Sequence, residues 1–119
     1  MILKRPSEIE AMADAAVINR EALEAVEAAL APGVTTAELN AVAEEVILRS
    51  GGRPAFKGYR GFPATLCTSV NEVVVHGIPD ERPLNEGDIV SIDVGTFYRG
   101  YAADLARTYA VGEIPTEAR

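Results

Sequence analysis

From Ile89 to Val111 the chain alternates apolar with small or polar residues, interrupted at Tyr98-Arg99-Gly100. That is the pattern of two strands folding back on one another, because successive strand side chains point to opposite faces. Ile89 to Thr96 and Tyr101 to Val111 read as the strands. On the first, Val90, Ile92 and Val94 share one face and Ser91, Asp93 and Gly95 the other. On the second, Asp104 shares its face with Ala102, Ala106 and Thr108, while Tyr101, Leu105, Tyr109 and Val111 point the opposite way.

Helical patterns precede the strands. Ser7 with Glu10 reads as a capping box, in which each side chain satisfies the other's exposed backbone amide. After it, Ile9, Met12, Ala13, Ala16, Val17, Leu23, Val26 and Leu30 recur at roughly helical spacing until Pro32 and Gly33 stop the pattern. Thr35 with Glu38 repeats the signature. Leu39, Val42, Ala43, Val46 and Ile47 then form a second stripe that ends at Gly51 and Gly52. From Arg53 to Pro63, glycines and prolines punctuate Phe56, Tyr59 and Phe62, which is loop chemistry with side chains large enough to line a pocket. Thr65 to Val70 and Val73 to Val75 read as strands, the second leading into His76-Gly77 and Pro79. Helices followed by strands predict an α+β domain, two helices packed on an antiparallel sheet, rather than βαβ units.

Composition narrows the classes. With 119 residues and 48% hydrophobic content the chain fits one domain with a core. It carries 11 Lys plus Arg against 18 Asp plus Glu, and the basic residues are scattered, which argues against nucleic acid as the main partner. Cys67 is a single cysteine and cannot form an internal disulfide. The first eleven residues carry charges where a secretory signal has its apolar stretch, so the cytoplasm is the expected location. No apolar run reaches the roughly 18 to 20 residues a membrane-spanning helix needs, and no membrane partner is expected.

Asp93 and Asp104 stand out. A turn centred between Tyr98 and Arg99 would set them directly opposite, with Cβ atoms about 5 Å apart. Tyr and Arg suit a two-residue turn poorly, however, so a left-handed Gly100 with a bulge would shift that pairing. Two carboxylates so close repel unless a cation lies between them, and a pair of divalent ions suits the spacing. Solvated carboxylates on the polar face of a hairpin are the other reading. A face of Ser91, Gly95, Ala102 and Ala106 resembles the floor of a cavity as much as an exposed sheet surface, and the residues alone leave both readings open.

The run from Phe62-Pro63-Ala64-Thr65-Leu66-Cys67-Thr68-Ser69-Val70-Asn71-Glu72 through Val73-Val74-Val75-His76-Gly77-Ile78-Pro79 closely resembles the signature of type I methionine aminopeptidases. The likeness continues through Gly87-Asp88-Ile89-Val90-Ser91-Ile92-Asp93-Val94-Gly95 and Gly100-Tyr101-Ala102-Ala103-Asp104. That family places two metal-binding aspartates eleven positions apart, the separation of Asp93 and Asp104. The resemblance implies the pita-bread fold, here its N-terminal half. It also implies a dinuclear site of divalent ions (Co, Mn, Fe or Zn), in which Asp93 binds one ion and Asp104 bridges two.

In the same terms His76 resembles the histidine that steadies charge at the scissile amide. Tyr59, Phe62 and Cys67 match positions lining the pocket for the methionine side chain, with Phe56 near them. Taken alone, His76 reads equally as a histidine satisfied by a neighbouring turn, and Cys67 as a small buried hydrophobe. The implied activity is removal of the initiator methionine from nascent proteins. The implied partners are the N-terminal Met of peptides and nascent proteins and the ribosome, with a monomeric full-length enzyme. The family completes its metal site with a histidine and two glutamates from a second half, but the sequence has no histidine after His76. A truncated, inactive half is therefore expected. A proline-specific peptidase of the same fold, a noncatalytic binding module, and reconstitution with a separately encoded second half are the alternatives.

Overall fold

The computed structural model describes residues 6–58, 64–71 and 77–112. Its elements are α1 (Pro6–Ala29), α2 (Thr36–Arg49), β1 (Arg53–Pro54), β2 (Leu66–Val70), β3 (Ile89–Tyr98) and β4 (Tyr101–Ala110). All strand pairs are antiparallel. β3 lies at the centre, with β4 along one side and β2 followed end to end by the short β1 along the other. Both helices cover the same face of this sheet, which is the α+β arrangement expected. The second predicted strand, Val73 to Val75, lies outside the described residues.

The second helix forms where its sequence signals it. Thr35 is the N-cap, its hydroxyl accepting from the Glu38 amide at 3.0 Å. Leu39, Ala43, Val46 and Ile47 are buried with Thr36, and Gly51 at φ 88° ends the helix in the left-handed conformation that glycine tolerates best.

The first helix differs from expectation in two ways. It starts at Pro6, whose fixed φ and missing N–H suit a first helical position, so Ser7 falls inside the first turn. The buried face runs through Ala11, Ala15, Ile18, Asn19, Ala22, Leu23 and Val26, whereas Ile9 and Val17 are 55% and 37% exposed and Ala13 and Ala16 also face solvent. Side-chain size explains the rotation. Alanines at 11, 15 and 22 let α1 approach its neighbours closely, and the one polar residue on that face, Asn19, receives the buried Thr96 hydroxyl at 2.6 Å.

The core joins Leu23 and Val26 of α1 and Leu39, Ala43 and Ile47 of α2 to Leu66 of β2 and Val90, Ile92 and Val94 of β3. Apart from Ala43, each such side chain contributes about 1.5 to 3 kcal/mol when fully buried. These contacts commit the helix side of β3 to packing, which leaves Ser91, Asp93 and Gly95 on the opposite face.

One polar brace adds to the core. Asn40 of α2 accepts the backbone amides of Thr65 and Leu66 through Oδ1, each at 2.9 Å, just where β2 begins. Asn40→Ala strands two amides and is expected to cost about 2 to 3 kcal/mol, read as a lowered urea midpoint, while Asn40→Asp keeps the acceptor and much of the stability. An alanine variant as stable as the wild type would show that water replaces the brace.

Candidate functional site

The sheet face turned away from the helices carries Cys67 and Ser69 on β2, Ser91, Asp93 and Gly95 on β3, and Ala102, Asp104, Ala106 and Thr108 on β4. Asp93 is half-buried and Asp104 exposed. Cross-strand partners are Asp93 with Ala106 and Asp104 with Gly95, so the carboxylates are diagonal neighbours. Direct opposition is thus corrected by two positions. The cause is the turn, whose central residues are Arg99 and Gly100, both left-handed at φ 52° and 85°. Two successive positive φ values make the tight turn that matches strand twist, with no bulge between the paired residues.

The diagonal still serves the pair. Diagonal positions on one face lie about 7 to 8 Å apart, with the Cβ atoms somewhat closer. The β3 residue opposite Asp104, next to Asp93 on the same face, is a glycine, Gly95. Phe56 explains why: a Cβ on Gly95 would lie 2.9 Å from Phe56 Cε1 and 3.1 Å from Ala55 Cβ, so the aromatic ring rests directly on the strand. The Ala55 amide donates to the Gly95 carbonyl at 2.9 Å and ties this segment down.

Cys67 pairs with Asp93 from the other side. Burial pushes its thiol pKa up and the Asp93 carboxylate pushes it further, so at neutral pH the group is a protonated, soft wall rather than a nucleophile. Behind these walls Glu44 of α2 accepts from Lys57 Nζ at 2.7 Å and from the Thr65 hydroxyl at 2.9 Å. The Lys57 hydrogen bond holds its carboxyl below the usual range against the opposing effect of burial.

Gly77 runs beside β2, accepting the Thr68 amide at 2.9 Å, and any Cβ there would collide with the Thr68 carbonyl. The next segment is fixed by Asp80, whose amide donates to the Thr36 hydroxyl at 2.9 Å and whose carbonyl receives the Ala37 amide. Asn71, left-handed at φ 54°, links β2 to β3: its amide donates to the Ile89 carbonyl and its Oδ1 accepts the Ile89 amide.

Of the candidate residues, the structure brings Asp93, Asp104, Cys67 and Phe56 to one face; His76, Tyr59 and Phe62 lie outside the described residues. Among the described residues no group of three or more His, Cys, Asp or Glu side chains could hold a metal ion. Two carboxylates among small side chains nonetheless fit part of a divalent-metal site, since both offer hard oxygen donors and the exposed Ala102 and Ala106 beside Asp104 take up little of the space in front of them. Sequence reasoning missed Asn40, Glu44 and the steric role of Gly77. A signal for the first two was their spacing of one helical turn beside the apolar stripe of α2.

The sequence pattern of metallopeptidase family M24 matches residues 10–119. Methionine aminopeptidase of Clostridium acetobutylicum is 52% identical over 99% of the chain and 48% of its own length. The crystal structure of methionine aminopeptidase from Thermotoga maritima superposes with a TM-score of 0.91 at 44% identity, over 98% of the chain and 47% of that protein. Prolidase from Pyrococcus furiosus superposes at 0.82 with 27% identity, over 98% of the chain and 33% of that protein. The chain spans about half the length of these two methionine aminopeptidases. No helix among the described residues is long and apolar enough to cross a membrane.

Proposed function

The chain belongs to metallopeptidase family M24, and from that premise we propose that residues 1–119 form the N-terminal half of a methionine aminopeptidase catalytic domain with the pita-bread fold. The observation that carries this reading is the 52% identity to a methionine aminopeptidase across nearly the whole chain. Two carboxylates on the helix-free sheet face, with Phe56 and Cys67 beside them, support it. Its proposed substrates are peptides and nascent proteins beginning with Met, and its proposed setting is the cytoplasm near the ribosome, as a monomer.

In this reading Asp93 and Asp104 hold two divalent ions of Co, Mn, Fe or Zn. Bound there, such ions supply Lewis-acid polarisation of the scissile carbonyl and make water nucleophilic at neutral pH. The chain's own residues do the rest. Phe56, Tyr59, Phe62 and Cys67 receive the methionine side chain, whose flexible thioether gains from sulfur–aromatic contact. His76 hydrogen-bonds the scissile amide and steadies charge on it. The small residues around Asp104 keep that part of the face clear for the substrate backbone.

The test is hydrolysis of a Met-peptide with Mn²⁺ by these 119 residues and by a chain completed to the length of its relatives. The completed chain should cleave, lose activity to a chelator and regain it with Mn²⁺ or Co²⁺. The 119 residues alone should show no measurable turnover, because two carboxylates hold a divalent ion weakly. Turnover by the short chain would overturn the half-site assignment. A folded, metal-loaded completed chain without activity would favour a binding module, and cleavage restricted to Xaa-Pro peptides would favour a prolidase-like enzyme.

A further inference from the structure

The Glu44 carboxylate meets two segments, at Lys57 and Thr65, that lie well beyond its own helix in sequence and adjoin the same site. Lys57, its partner at 2.7 Å, directly follows Phe56, whose ring covers Gly95. Thr65, its partner at 2.9 Å, lies two residues before Cys67, which faces Asp93 across the strands. One helical turn earlier, Asn40 holds the Thr65 and Leu66 amides. A single oxygen, Glu44 Oε1, therefore ties the neighbours of both described walls to α2.

We propose that Glu44 is a positioning residue: without touching substrate, it sets the spacing between the Phe56 and Cys67 walls and thereby how well the site accepts a methionine side chain. The proposal rests on the methionine-peptidase reading. A lone surface ion pair contributes little, and Lys57 is half exposed. The Thr65 side makes the difference, because Thr65 is fully buried and its hydroxyl loses its acceptor when the carboxylate is removed. Pockets for apolar side chains discriminate at the level of one methylene, so a small shift of either wall alters binding of a thioether chain more than the chemistry on it.

The experiment uses the completed, Mn²⁺-loaded chain. Glu44→Ala should raise KM for Met-peptides about five- to tenfold with kcat within about twofold, and Glu44→Gln, which keeps an acceptor for Thr65, about two- to threefold. Amide exchange at Thr65 and Leu66 should quicken in Glu44→Ala without a matching rise across the core strands. Unchanged KM with unchanged local exchange would overturn the proposal, as would kcat falling in step with global stability. A wild type that cleaves nothing would sink the peptidase reading and the KM claim with it, while the exchange data would still decide whether Glu44 holds the two segments.

Discussion

Asp104→Ala, made in a chain completed to the length of its relatives and loaded with Mn²⁺, is expected to lower kcat/KM for Met-peptides by about 10³-fold, or some 4 kcal/mol of transition-state stabilisation. The residue sits on the sheet face away from the helices, exposed and opposite Gly95, so it supports no packing. Its loss should leave the unfolding free energy of the metal-free chain within about 0.5 kcal/mol of wild type. Calorimetry should show weaker Mn²⁺ uptake in parallel, and Asp104→Asn, with the same shape and a poorer donor, should behave similarly. A folded Asp104→Ala enzyme cleaving at the wild-type rate would return Asp104 to the other reading, a solvated carboxylate on a hairpin.

Gly77→Ala should act through the backbone. The glycine lies against the Thr68 carbonyl while accepting the Thr68 amide, and an added methyl has no space unless one chain segment moves. Thr68 is buried and anchored in β2 opposite Ile92 of the core, so the segment containing Gly77 is the one to shift. Overpacking against backbone should cost about 3 kcal/mol, read from urea unfolding. Because His76 precedes this glycine in sequence, kcat should fall as well, with Asp93 and Asp104 untouched. Wild-type stability in Gly77→Ala would show that this close approach does not exist in solution.

Particular residues show what could be read in advance. Thr35, Glu38 and Gly51 marked α2 correctly because caps and terminators are local, each acting within a few positions. The faces of β3 and β4 were equally legible from alternation. The buried face of α1 was legible only toward its end, at Leu23 and Val26: earlier in the helix large apolar residues drew attention to Ile9 and Val17, while packing selected Ala11, Ala15, Ile18 and Asn19, whose partner, Thr96, lies far along the chain. The turn failed for another reason. A left-handed Arg99 costs about 1 to 2 kcal/mol, so intrinsic preference speaks against it. The long paired run of β3 and β4 outweighs that cost, and the Arg99 guanidinium lies 5.2 Å from the Tyr98 ring centre, a contact that offsets about 0.5 to 1 kcal/mol at an exposed site. Asn40 and Glu44 acquire their roles from contacts with Lys57, Thr65 and Leu66, which no local pattern announces.

The hairpin tip has a practical consequence. Arg99 and Gly100 are exposed and lie beyond the last paired residues, Tyr98 and Tyr101, so a segment inserted between them would lengthen the loop without disturbing the pairing below. One residue inserted between Tyr101 and Asp104 would instead create a bulge or turn Asp104 toward the helices, because side chains reverse face at every position. The separation of the two aspartates is therefore elastic at the tip and rigid below Tyr101, and a reporter peptide grafted at Arg99-Gly100 would sit near the site without changing its register.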